Sequence, residues 1–112
     1  MRGLKIQERW INLILSGEKT MEVRGMRYRV LGQKIALGNS DNGLVEGYGT
    51  VQRIEDIPYS KISEYESQHL ATEWLKKRYH GKNILYGFVL KEVTREKNPF
   101  AYPKSPSIWF QC

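Results

Sequence analysis

Cysteine is almost missing from this chain: Cys112, the last residue, stands alone. That excludes an internal disulfide and a thiolate zinc cluster. Histidine is nearly as scarce, and the spacing of His69 and His80 matches no metal-ligand pattern. The reading therefore carries no metal and no cofactor. No apolar run approaches the roughly 20 residues of a membrane span, and Met1–Ile6 lacks the apolar centre of a secretory leader. A soluble protein with a cytoplasmic location is the expectation. Also lacking are a Ser/His/Asp order, a glycine-rich phosphate loop and a histidine–glutamate zinc helix, which disfavours several common enzyme classes.

Basic residues outnumber acidic ones, 18 against 12, for a formal charge of +6. The excess is uneven. Residues 1–29 hold seven Lys/Arg and three Asp/Glu, residues 30–75 three and seven, and residues 76–112 eight and two. If the two ends of the chain meet, as they often do in small domains, they make one positive surface suited to polyanions. A length of 112 residues is that of one domain, 1–112, with a single modest core.

The apolar spacing predicts a short strand at Leu4–Ile6 and a helix over Gln7–Ser16, with Ile6, Trp10, Leu13 and Ile14 on one stripe and Gly17 as its stop. No capping residue stands at the helix start. Strands are predicted at Thr20–Arg24, Gln33–Leu37 and Leu44–Ile54, with Asn42-Gly43 as a hairpin turn and Gly47 and Gly49 permitting a bulge or the close approach of another backbone. After Pro58 a helix is predicted over Ser60–Tyr79, then a strand at Ile84–Val93, a loop at Asn98–Pro106 and a last strand at Ser107–Gln111 with Ile108 and Phe110 on one face.

Chemistry concentrates in Ser16–Arg24. Thr20, Glu22 and Arg24 alternate with Met21 and Val23, so a strand here puts three polar side chains on one face and two apolar ones in the core. Lys19 and Arg24 suit an anion or a carbonyl, and Glu22 suits amide or amino donors on a nucleobase edge. A surface strand with an ordinary ion pair fits the same pattern equally well. His69 and Glu73 lie one helical turn apart, an acid/base spacing, although the stripe of Leu70, Ala71, Trp74 and Leu75 favours a solvated position for both. Trp10 and Trp74 read as core. Tyr79, Tyr86, Phe100, Tyr102 and Trp109 offer faces on which bases could stack.

The run Gly17-Glu18-Lys19-Thr20-Met21-Glu22-Val23-Arg24 resembles the signature Gly-x-Lys-Thr-x-Glu-x-Arg of the ASCH domain family, and weaker similarity extends to the Pro99–Trp109 region. The resemblance implies an α+β, mainly β fold: a PUA-like small pseudo-barrel of mostly antiparallel strands with flanking helices. It implies binding of RNA or a modified nucleoside in a basic cleft, with Glu22, Arg24, Tyr102 and Ser105 as ligand-binding residues, and neither a membrane nor an obligate protein partner. One branch of the family hydrolyses N4-acetylcytidine with a lysine, a threonine and a glutamate. Lys19 and Glu73 match two of these, Glu22 stands at the threonine position, and Thr20 lies two residues earlier on the same strand face. The catalytic candidates are therefore Lys19, Glu73 and Thr20. Ribonuclease activity, attributed to some relatives, and docking on an acidic protein are the further alternatives.

Overall fold

Helix α1 (Glu8–Ser16) forms where the sequence predicts it, and its buried stripe of Ile11 and Ile14 follows from their three-residue spacing. Gly17 ends it at φ +88°, a left-handed conformation that costs glycine nothing, and donates its N–H to the Ile14 carbonyl at 3.1 Å. The missing cap is supplied from far away in sequence: the Asp41 carboxylate accepts the Glu8 N–H at 2.8 Å. In this computed structural model all 112 residues are described.

Six strands make one sheet: β1 (Arg2–Ile6), β2 (Met21–Arg24), β3 (Lys34–Asn39), β4 (Leu44–Pro58), β5 (Ile84–Ala101) and β6 (Trp109–Gln111), in the order β2-β5-β4-β3-β1-β6. Only β1 and β3 run parallel. The expected mainly antiparallel α+β fold is observed. Asn42 and Gly43 turn β3 into β4, with Asn42 Oδ1 accepting the Leu44 N–H at 2.9 Å and Gly43 at φ +76°. The register of β4 against β5 shifts between Val45 and Gly47, between Tyr48 and Thr50 and between Val51 and Arg53, so bulges fall in the glycine-containing stretch as expected. At Gly47 a side chain would collide with the Thr94 carbonyl and with Leu15.

Three expectations need correction. The strands β4 and β5 run well past Ile54 and Val93, because they pair with each other from Leu44↔Ala101 to Pro58↔Ile84. Backbone hydrogen bonds sustain their exposed ends without the apolar alternation that sequence reading depends on. The single helix over Ser60–Tyr79 is instead a 3-10 helix (Tyr59–Tyr65) followed by α2 (Glu66–His69) and α3 (Thr72–Arg78). Leu70 breaks it at φ 59°, in the left-handed region that L-residues seldom enter. Lastly, Ile108 precedes β6 and stays 36% exposed while Phe110 is buried, so the two do not share a core face.

One core cluster, with Ile6, Ile11, Ile14, Leu37 and Leu90, lies between α1 and the sheet. A second, with Met21, Val23, Ile62, Ala71 and Leu75, lies between β2 and the helices after β4. Trp10 packs against both, so the seam between them runs beside the Lys19 segment.

Candidate functional site

The Lys19 segment is pinned at both ends by backbone bonds. Lys19 N–H donates to the Leu13 carbonyl at 3.0 Å and Thr20 N–H to the Gln68 carbonyl at 2.9 Å, which fixes the loop between α1 and α2 before β2 begins. Met21 and Val23 then enter the core as predicted, at 0% and 4% exposure. On the opposite face Glu22 is nearly as buried, at 6%, and Lys19 is at 3%. An ordinary solvated ion pair does not look like this; removing these charges from water demands compensating partners.

Those partners are present. Arg24 donates twice to Glu22 Oε2, from Nε at 2.9 Å and Nη2 at 2.7 Å, and the same Nη2 donates to the Lys5 carbonyl at 2.9 Å. Lys19 Nζ donates to the His69 carbonyl, stands 3.6 Å from Glu22 Oε1 and lies 5.1 Å from the centre of the Trp10 ring. Burial pushes the Lys19 ammonium below its ordinary range, against the upward pull of Glu22. The outcome is a Lys19–Glu22–Arg24 relay in which Oε2 is fully engaged while Oε1 keeps capacity to accept, since 3.6 Å exceeds an ordinary hydrogen bond.

This relay lines a cavity of about 290 Å³. Its walls include Trp10, Trp74, Ala71, Leu75 and Tyr79, and its charged lining consists of Lys5, Lys19, Arg24 and Arg78 with Glu22 as the one carboxylate. Trp10 and Trp74 meet edge to face, 5.9 Å between centroids and 68° between planes. The Trp10 indole Nε1 is buried without a hydrogen-bond partner. Apolar walls with a few convergent polar groups are the usual composition of a small-molecule site, and the volume sits near the small end of the roughly 300–1,000 Å³ range.

The other candidates are elsewhere. Thr20 is exposed and lies just before β2, outside the cavity lining. Glu73 is exposed and lines a separate, more open depression that shares only Trp10, Ala71 and Trp74 with the cavity. His69 is fully buried rather than solvated: Nδ1 accepts the Ala71 N–H at 2.9 Å, so Nε2 carries the proton and donates to the Ile62 carbonyl at 2.8 Å. The break at Leu70 removes the helical turn that would have joined His69 to Glu73. Tyr102 stacks on Phe110 with centroids 4.3 Å apart, and Ser105 Oγ donates to the Trp109 carbonyl at 3.0 Å. Neither lines the cavity; from their segment Ile108 does, while the Lys5 ammonium donates to the Ser105 carbonyl. Sequence reasoning missed Trp10 and Trp74 as cavity walls and Lys5 and Arg78 as lining cations. The two tryptophans fall on apolar stripes, where core residues and cavity walls have the same spacing.

A six-stranded, mostly antiparallel sheet flanked by short helices is the PUA-like fold that the signature implies. The chain belongs to the ASCH domain family, which it matches over residues 4–97. Among solved structures it is similar to ASCH crystal structures from Zymomonas mobilis. A serine-to-alanine mutant of that protein has 18% identity over 89% of this chain and 72% of that one, with a TM-score of 0.80. A tyrosine-to-phenylalanine mutant has 19% identity over 89% and 74%, with a TM-score of 0.78. At such identity the likeness concerns the fold. No curated protein matches the chain.

Proposed function

We propose that this ASCH domain binds RNA or a modified nucleoside, with one base held in the cavity that Trp10 and Trp74 wall. The observation that carries the reading is Glu22, 6% exposed and anchored by Arg24 through one oxygen, with its other oxygen able to accept an N–H in the cavity wall. A cytosine-like edge complements it: an amino or amide N–H meets Glu22, and a neighbouring carbonyl or ring nitrogen meets the remaining N–H donors of Lys19. Arg24 is the positioning residue that holds Glu22. The excess of cations in the lining suits the phosphates of a strand. Tyr102 and Ser105 serve the ligand only by shaping the segment that delivers Ile108 and ties down Lys5.

A second reading, hydrolysis of acylated cytidine, is favoured by one observation, the burial-depressed ammonium of Lys19 beside a carboxylate. With Thr20 and Glu73 outside the cavity, Lys19 and Glu22 are the pair that would activate water. One experiment separates the readings. Cytidine, N4-acetylcytidine and labelled single-stranded RNA are titrated into the protein, and the products are then chromatographed. Binding is expected to weaken roughly 10–100-fold in Glu22→Gln, the range of one hydrogen bond to a charged group, and to weaken also in Lys19→Ala. Cytidine released from N4-acetylcytidine and absent with Lys19→Met would establish the hydrolase, and RNA cleavage would establish a nuclease. Binding that ignores both variants and follows only salt overturns the cavity as the site and leaves a charge-driven interaction surface.

A further inference from the structure

The cavity does not end at its cationic rim. Arg24, Arg78, Tyr79 and Ile108 also line a neighbouring cleft of about 420 Å³, which continues past the end of β2. We infer that this cleft is a second nucleotide subsite, taking the phosphodiester and adjoining base of an RNA strand whose first base occupies the Trp10–Trp74 cavity; the inference rests on the function proposed above.

The cleft's charge is one-sided. Arg78, Lys82 and His80 join Arg24 in its lining, and no carboxylate does. Arg24 is compensated by Glu22, but Arg78 and Lys82 form no salt bridge. Lys82 Nζ donates to the Gly25 carbonyl at 3.2 Å, which holds the ammonium at the lip and leaves two N–H donors for an anion. The Arg78 guanidinium lies 5.2 Å from the centre of the Tyr79 ring, so the cation and the aromatic surface arrive together. Gly25 lets the Tyr79 ring lie against the end of β2: a Cβ there would stand 2.9 Å from Tyr79 Cε1. Tyr28 and the 62% exposed Met26 supply further apolar surface. Cations that follow a backbone, with aromatic faces between them, are how single strands are held. A ligand that filled only the first cavity would leave Lys82 unused, since Arg78 lines both spaces and Lys82 only the second.

The test compares cytidine, its 3′- and 5′-monophosphates and a tetraribonucleotide, titrated into the wild type, Lys82→Ala and Arg78→Ala at about 50 and 200 mM salt. Lys82 is exposed, so its variant is expected to fold, and circular dichroism checks both. The expected result is a gain of about tenfold from cytidine to a phosphate-bearing probe, a further gain for the tetranucleotide, and loss of most of both in Lys82→Ala with cytidine affinity unchanged. The logarithmic salt slope should become shallower by about 0.7, the value for one phosphate contact on a single strand. The His80 imidazole resonances should move with phosphate-bearing probes and not with cytidine. A wild type that binds cytidine without any phosphate gain, or a gain that survives both variants, overturns this inference and leaves the proposed function standing. A monophosphate gain with nothing added by the tetranucleotide assigns the cleft to a free nucleotide and overturns the strand. A wild type that binds none of the probes overturns both readings.

Discussion

Glu22 has two cationic neighbours of unequal closeness, and that inequality predicts how the protein responds to their loss. Removing the carboxylate by Glu22→Ala strands Lys19 and the 15% exposed Arg24 together, and breaking a buried pair in this way costs about 3–5 kcal/mol. Removing Lys19 by Lys19→Met leaves Glu22 its two bonds from Arg24 and abolishes the desolvation of an ammonium, but strips the buried His69 carbonyl of its donor, so the cost should be about 1–3 kcal/mol, below that of Glu22→Ala. Urea denaturation of the two variants checks the order, and equal losses would contradict it. The Lys19 ammonium is held below its ordinary value of 10.5, with burial the leading cause. The native state therefore releases this proton before the unfolded state does, and wild-type stability relative to Lys19→Met should rise as pH climbs toward 10.5. The nonapeptide announced itself because its charges and apolar residues alternate. Its burial did not, since alternation is the same whether the polar face meets water or a cavity.

At the scale of elements, the segment after β4 is where sequence reading and structure differ most. Apolar residues from Ile62 to Leu75 fit one helix on periodicity, but periodicity does not register a single left-handed residue at Leu70. Burying His69 accompanies that break: its ring satisfies the Ala71 N–H and the Ile62 carbonyl, while its own carbonyl receives Lys19. Desolvation is the main cause that keeps this imidazole below its ordinary value of 6.5, and the nearby Lys19 charge adds to it. Because the unfolded chain binds this proton first as pH falls, stability is intact above 6.5 and declines below it toward the lower native value. Urea midpoints between about pH 7.5 and pH 5 should show the decline, and His69→Gln should flatten it. A wild-type midpoint that stays level over that interval would contradict the assignment. Elsewhere the local signals served well. Gly17 and Asn42-Gly43 are each set by near neighbours in the chain, whereas the close approach at Gly47 and the length of β4 and β5 are set by partners far away in sequence.

At the scale of the whole molecule, the two basic ends of the chain do meet. Met1 and Cys112 exchange backbone hydrogen bonds at 2.9 Å, β1 pairs with β6, and the Lys5 carbonyl reaches Arg24. Lys5 of the first segment and Arg78 of the last thereby line one cavity with the Lys19 relay, an arrangement that charge counting suggested and only the sheet order produces. Glu73, by contrast, follows Leu70 onto α3 and away from Lys19, and nothing local in the sequence marks that turn. On the proposed function, a base enters the cavity that Trp10 and Trp74 wall. The chain has three indoles, and the third, Trp109, packs against Tyr28 with centroids 5.1 Å apart and does not line the cavity. Indole N–H resonances followed while cytidine or N4-acetylcytidine is added should show Trp10 and Trp74 shifting saturably and Trp109 standing still. Shifts confined to Trp109, or no shift at any of the three, would contradict it.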